Sequence, residues 1–159
     1  MAQRGIYAAP VIFRQLFEHL SSTYTYIVAC GATSEGVIID PVLETVDRDV
    51  KVVKQMGLQL KYAINTHCHA DHVTGTGELR KRLTSLKTGI GKASGAQADF
   101  HFSDGDRIQF GNDELEVRST PGHTDGCCTF VWHRGRMAFT GDTLLIGGCG
   151  RTDFQQGTV

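Results

Sequence analysis

Three histidines and one aspartate fall within six consecutive positions, at His67, His69, Asp71 and His72. Neutral imidazole and carboxylate are the ligands that zinc, iron and related metals take in proteins. An apolar run, Leu60 to Asn65, leads straight into this cluster. Loops that follow buried strands commonly bring functional side chains together. The cluster therefore predicts a metal site, against the alternative of a polar turn with a chance grouping of histidines.

Two later segments could complete such a site. His123 follows Pro121 and Gly122 between two predicted strands, and Asp142 follows Gly141 directly after a third. Taken singly, each segment is weak, because a histidine in a turn is commonly a surface residue and an aspartate after a strand commonly caps a helix or forms a turn. Their value lies in the combination with the cluster at 67–72.

The elements that would position these residues alternate between strands and helices. β-branched and apolar runs predict four strands, and apolar spacing predicts one helix that ends at Gly57 and a second one after Gly77. The predicted strands are Val11 to Phe17, Thr23 to Ala29, Val37 to Asp40 and Leu60 to Asn65, and the predicted helices are Thr45 to Met56 and Glu78 to Leu83. From about Ile90 onward, short strands separated by turns are expected. The pattern is that of an α/β domain with many strands.

Composition limits the classes of function. The chain has 159 residues with 16 basic and 17 acidic side chains, a formal charge of −1, so no basic surface for nucleic acid or for an anionic membrane is expected. No apolar run approaches the roughly 20 residues of a membrane-spanning helix. Five cysteines without a C-x-x-C pair, and no signal peptide within the first ten residues, indicate a reducing compartment. Residues 1–159 are expected to form one domain.

The combination His-x-His-x-Asp-His, Pro-Gly-His-Thr and Thr-Gly-Asp resembles the metallo-β-lactamase superfamily. Within it, several blocks resemble the persulfide dioxygenase family. They are Asp40-Pro41-Val42, the segment Asn65 to His72, Ser94-Gly95-Ala96-Gln97-Ala98-Asp99 and the Gly-Cys-Gly-Arg-Thr-Asp-Phe-Gln-Gln-Gly block at 148–157. The resemblance implies an α/β fold, the αββα sandwich of that superfamily. Its second half is expected to be largely missing, because it follows the Asp142 strand and the chain ends 17 residues after Asp142.

The resemblance implies a single Fe(II), with zinc as the alternative metal, held by His67, His123 and Asp142 as metal ligands and catalytic residues. It further implies oxidation of glutathione persulfide by O2 to sulfite and glutathione, in the mitochondrial matrix or otherwise the cytoplasm, with a homodimer as one possible assembly. Residues that would orient the ligands or serve as alternative ligands are His69, Asp71 and His72. Arg151 and Cys149 would contact the substrate. Position 147 is glycine where relatives usually carry arginine.

Two alternatives remain open at this stage. A thioester hydrolase of the glyoxalase II type would need a second metal on Asp71, His72, Asp142 and one further histidine. No histidine follows Asp142 in the chain, so that second site is short of a ligand. A chain that lacks half of the fold could instead be an inactive interaction module.

The remaining cysteines and histidines are assigned to structure. Cys68 is expected to be buried packing, since the side chains at 67 and 69 should share the opposite face. Cys127 and Cys128 are interpreted as ordinary residues at a strand end, and His19, His101 and His133 as surface or loop histidines.

Overall fold

A computed structural model describes residues 10–153, which form two β-sheets and two α-helices. The first sheet has six strands in chain order: β1 (Val11–Glu18), β2 (Thr23–Cys30), β3 (Glu35–Ile39), β4 (Gln59–Ile64), β5 (Lys87–Gly91) and β6 (Phe100–Phe102). Strands β1 to β3 are antiparallel, whereas β3 to β6 run parallel. The parallel strands require crossover connections, and α1 (Val46–Gln55) and α2 (Thr76–Arg82) supply two of them.

The second sheet is an antiparallel meander. It consists of β7 (Arg107–Phe110), β8 (Asp113–Ser119), β9 (Cys128–Trp132) and β10 (Met137–Phe139), in the spatial order β10-β9-β8-β7. A turn at Gly111 and Asn112 joins β7 to β8. Alternate residues of these strands point toward the first sheet or away from it, as period-two geometry requires.

Apolar side chains fill two layers. Between the sheets lie large buried residues such as Val37, Ile64, Phe130 and Trp132. On the other face of the first sheet, Ile27 and Ile38 pack against the helices through Val46, Val53 and Leu79. The predicted metallo-β-lactamase-type sandwich is therefore confirmed, as a partial fold that contains both sheets and the helical layer over the first.

The second sheet covers the apolar face of the first. Its outer face, within residues 10–153, carries mainly polar side chains: Arg107, Gln109, Glu114, Glu116 and Arg118. Arg107 of β7 pairs with Glu114 of β8 across the two strands, and Arg118 pairs with Glu116 along β8 at 2.6 Å. The amphipathic alternation of β7 and β8 explains why that face needs no apolar cover.

The predicted elements agree closely with the structure, with one shift. Helix α2 begins at Thr76, before Gly77 rather than after it, because the backbone N–H of Leu79 already bonds to the carbonyl of Gly75. No helix among the described residues has the length and apolar character needed to cross a membrane.

Candidate metal centre

Three loops at one end of the sandwich meet at the predicted metal ligands. His67 follows β4 of the first sheet, whereas His123 lies between β8 and β9 and Asp142 follows β10, both in the second sheet. One potential ligand atom from each of the three lies within 4.8 Å of the others. His67 is buried, and His123 and Asp142 are partly exposed. The trio singled out from the sequence is thus gathered at one point.

A buried carboxylate beneath the site orients His67. Asp40, at the end of β3, accepts hydrogen bonds from the backbone N–H of Thr66 at 2.7 Å and from its hydroxyl at 2.9 Å. Because that hydroxyl proton goes to the carboxylate, Thr66 Oγ1 accepts the bond from His67 Nδ1, 3.0 Å away. His67 then carries its proton on Nδ1, which leaves the Nε2 lone pair for a metal.

Glycine is required next to Asp142, the third predicted ligand. Gly141, immediately before Asp142, has a positive φ of 49°, and a Cβ there would lie 2.3 Å from Thr66 Oγ1. The close approach brings the loop after β10 directly against the side chains of Thr66 and His67. A side chain at position 141 would push Asp142 away from His67.

Burial controls the charge of the central imidazole. Desolvation, assisted by the neighbouring His69 ring, lowers the pKa of His67 to about 4. His67 is therefore neutral at physiological pH, as a metal ligand must be. Burial opposes ionisation of Asp40 as well. His69 and the Thr66 hydrogen bonds outweigh that penalty and hold the pKa of Asp40 below its usual value.

A second group of potential ligands lies beside the first. One ligand atom each of His69, Asp71 and His72 again falls within 4.8 Å of the others. His69 donates from Nε2 to Asp40 at 3.2 Å, and His72 donates from Nδ1 to Asp71 at 3.1 Å. His72 Nε2 is buried and has no hydrogen-bond partner among the described residues. The rings of His67 and His69 are 4.1 Å apart, so the two groups are contiguous.

A cleft of about 620 Å³ opens beside these groups. The turn between β1 and β2 forms one wall, and the loop after Asp142 forms the other. The lining includes Ser21, Thr23, Tyr24, Asp40, His69, Asp71, Asp142 and Leu144 to Ile146. Ile146 is 97 % exposed at the rim. The cleft gives a small molecule access to the predicted ligands.

The Gly-Cys-Gly-Arg segment packs against the same site. Gly150 is buried, and its N–H donates to the carbonyl of Asp142 at 2.6 Å. The main-chain carbonyl of Arg151 accepts a hydrogen bond from His123 Nδ1 at 2.7 Å. The Arg151 guanidinium is exposed and pairs with Asp153, and Cys149 is exposed too. Residues 154–157 of the same sequence block lie outside the described residues.

One prediction about the cluster is wrong. Cys68, expected to be buried packing, is exposed. The side chains of His67 and His69 point inward, so the opposite face of the loop, which carries Cys68, is turned to solvent. Cys127 and Cys128 are buried around the start of β9, and His19 and His133 are exposed as expected.

Sequence reasoning missed the supporting residues Asp40 and Thr66. Asp40 entered only as the end of a predicted strand and as part of a motif, although a lone carboxylate closing an apolar strand is itself a signal of a buried polar role. The contact from the Arg151 carbonyl was also missed, since a main-chain group has no signature in residue type.

Fold and site together define a class. The family model of the metallo-β-lactamase superfamily matches residues 20–158, and the chain belongs to that superfamily. Within it, the chain is 57 % identical over 157 residues to "Persulfide dioxygenase ETHE1, mitochondrial" of Homo sapiens, which covers 99 % of this chain and 62 % of that protein. The family resemblance expected from the motifs is confirmed. The chain spans about three fifths of the length of that relative.

Two further comparisons concern a solved structure of a similar protein and a more distant relative. The crystal structure of ETHE1 from Myxococcus xanthus superimposes with a TM-score of 0.87 at 45 % identity, covering 92 % of this chain and 64 % of that one. A hydroxyacylglutathione hydrolase of Rhodospirillum rubrum is more distant, at 36 % identity over 136 residues, covering 83 % of this chain and 52 % of that protein.

Proposed function

We propose that the chain belongs to an iron-dependent persulfide dioxygenase, which oxidises glutathione persulfide with O2 to sulfite and glutathione. The observation that carries the proposal is the convergence of His67, His123 and Asp142, whose ligand atoms lie within 4.8 Å of one another, beside a cleft that Asp142 lines. Two histidines and one carboxylate form the ligand set of non-haem iron oxygenases and leave coordination positions open. The identity of 57 % to a persulfide dioxygenase supports the same reaction.

The donor chemistry fits Fe(II). Hydrogen bonds at Nδ1 leave both His67 and His123 with a free Nε2, and burial keeps His67 neutral. When bound, the iron would supply open positions at which O2 and the persulfide sulfur meet. The chain's own residues hold the imidazoles in the correct tautomer, place the Asp142 carboxylate beside them and shape the cleft. His69, Asp71 and His72 would orient the ligands or bind metal in their place.

The substrate would occupy the cleft beside Asp142. Arg151 and Cys149 remain proposed substrate contacts, a guanidinium being suited to a glutathione carboxylate. Engagement of a substrate by Arg151 would require its guanidinium to exchange the Asp153 partner, held at 2.8 Å, for the substrate. An exposed pair of this kind is weak, so the exchange is energetically accessible.

The proposed setting follows the relatives. The human relative's name places that protein in mitochondria, and we extend this to the mitochondrial matrix for the present chain. Residues 1–159 are taken as one domain, the N-terminal portion of the full fold, and a homodimer is part of the proposal.

The proposal is tested by metal analysis and oxygen uptake on the same sample. We expect about one iron per chain, as a single three-ligand site requires, and oxygen loss that depends on glutathione persulfide. His67→Ala, His123→Ala and Asp142→Ala should each abolish iron retention, because three ligands leave no redundancy. His101→Ala is the matched control, since that ring is exposed and, within residues 10–153, hydrogen-bonds to the carbonyl of Ala96. Full iron content in any ligand variant would remove that residue from the centre.

A second candidate is a thioester hydrolase with two metals. Nε2 of His72, beside Asp71 and His69, is buried and lacks a hydrogen-bond partner within the described part of the chain. This favours the hydrolase, as does the similarity to a hydroxyacylglutathione hydrolase. Two zinc ions per chain and thioester cleavage without oxygen would establish the hydrolase and overturn the dioxygenase.

A further inference from the structure

The loop that contains Gly150 and Arg151 has a role that its residue types do not suggest. We propose that these two residues position His123: the main-chain carbonyl of Arg151 fixes the imidazole, and the missing side chain at position 150 lets that carbonyl reach it. The inference rests on the proposed function, because it concerns a ligand of the same centre. In this proposal, the backbone of the Gly-Cys-Gly-Arg segment sets the orientation of His123.

The hydrogen bond determines which nitrogen of His123 carries the proton. The Arg151 carbonyl lies 2.7 Å from Nδ1 and can only accept, so Nδ1 must donate. In the neutral ring the lone pair then sits on Nε2, which is 3.5 Å from Asp142 Oδ2. Without the carbonyl, the imidazole could carry its proton on Nε2 instead. Nε2 would then have no lone pair to offer a metal at the centre.

Gly150 is held in a space that no side chain could share. A Cβ at position 150 would lie 2.7 Å from the carbonyl oxygen of Asp142, 2.8 Å from its Cβ and 2.9 Å from Cγ of His123. Since the φ of Gly150 lies outside the left-handed region, the obstacle to alanine is the contact alone. One small residue therefore touches two of the three proposed ligands.

The same loop offers a matched control. A Cβ at Gly148 would meet nothing within 4 Å, and its φ is also outside the left-handed region. Gly148→Ala thus makes the same chemical change two positions away without contact with the site. Arg151→Ala is a second control, because it removes the guanidinium paired with Asp153 but keeps the carbonyl.

The direct test is the tautomer of His123 in the metal-free protein, measured by imidazole ¹⁵N NMR above about pH 8, where an ordinary imidazole is neutral. We expect a single Nδ1–H tautomer in the wild type, in Gly148→Ala and in Arg151→Ala. Gly150→Ala should give a mixture with Nε2–H. A wild-type Nδ1–H signal in Gly150→Ala, or the same mixture in Gly148→Ala, would overturn the proposal.

Zinc affinity gives a second readout that needs no turnover. We expect Gly150→Ala to weaken Zn²⁺ binding roughly tenfold to a hundredfold, the usual effect of losing a partner of a metal-bound histidine, with Gly148→Ala unchanged. Arg151→Ala should retain zinc affinity and raise only the KM for persulfide. Unchanged zinc affinity in Gly150→Ala would contradict the role assigned here.

If Gly150→Ala fails to fold, a change to the backbone at the Arg151 carbonyl tests the proposal instead. Ligation at Cys149 allows residue 152 to be introduced as its α-hydroxy analogue, which turns the Arg151 carbonyl into an ester carbonyl, a weaker acceptor, without adding an atom. We expect Nε2–H to appear and zinc affinity to fall; an unchanged tautomer would refute the proposal. If wild-type His123 is the Nδ1–H tautomer but the protein does not oxidise persulfide, the proposed function is wrong and the positioning role of Gly150 and Arg151 still holds.

Discussion

Asp40 shows how much a single buried residue organises. Its carboxylate, 3 % exposed, accepts from Thr66 twice and from His69 once, and its backbone has a positive φ of 50°. Asparagine tolerates that conformation as aspartate does, so Asp40→Asn removes the charge without adding backbone strain. We expect a loss of about 1–3 kcal/mol in the free energy of unfolding, because one of the three buried donors is left without an acceptor.

Urea denaturation of the metal-free protein measures that loss. Asp47→Asn is the control, since Asp47 is 87 % exposed and its ion pair with Arg82 lies at the surface, where such pairs contribute little to stability. Metal affinity should fall in the Asp40 variant as well. The Thr66 hydroxyl would lose its acceptor, and its oxygen would no longer be kept as the acceptor of the hydrogen bond from His67 Nδ1. Equal stability of the two variants would show that the Asp40 network contributes no more than a surface pair.

At the scale of elements, the turn between β1 and β2 forms a wall of the cleft and depends on Glu18. Its carboxylate accepts from the N–H groups of Ser21 and Leu20, each at 2.8 Å, and from the Ser21 hydroxyl at 2.7 Å. These bonds, led by the Ser21 N–H, lower the pKa of Glu18 to about 2 from 4.5. A depressed folded-state pKa contributes stability above the unfolded value and loses it as pH falls.

The turn should therefore weaken as pH drops from about 4.5 toward about 2, the window of that pKa shift. Glu18→Gln should be less stable than the wild type at pH 7, and the difference should narrow across that window. Amide exchange at Leu20 and Ser21 should also be faster in the variant. Glu44→Gln, an exposed site, should leave both measurements unchanged. A pH-independent difference between Glu18→Gln and wild type would show that the charge is irrelevant.

The elements also show where sequence reasoning succeeds and where it stops. Strands β2 to β4 and helix α1 were predictable because burial on one or both faces leaves a strong apolar pattern, as with Val46, Val50 and Val53. Strand β5 (Lys87–Gly91) contains two glycines and β6 only three residues, so neither has a pattern of its own. His67, His123 and Asp142 could be singled out as candidate metal ligands from residue type, whereas the exposure of Cys68 depends on the tertiary path of its loop.

At the scale of the whole molecule, the proposed metal centre lies between the two β-sheets. His67 is attached to the first sheet, and His123 and Asp142 to the second, so a bound ion would join both sheets at one end of the apolar core. An ion that binds only the native state stabilises it by about 2.7 kcal/mol at a hundred times its Kd. For a domain of this size that corresponds to a rise of roughly 5–10 °C in Tm.

We therefore expect Fe²⁺ under anaerobic conditions, or Zn²⁺, to raise Tm by that amount and a chelator to reverse it, as measured by thermal unfolding. Mg²⁺ is the control ion, because it prefers oxygen ligands to imidazole. Asp142→Asn should lose the increase, since the second sheet would then be attached through His123 alone. If Tm rises as much in that variant, the stabilising ion is instead bound by His69, Asp71 and His72. Because these three residues all follow β4, the ion would then stabilise the first sheet and would not join the two sheets.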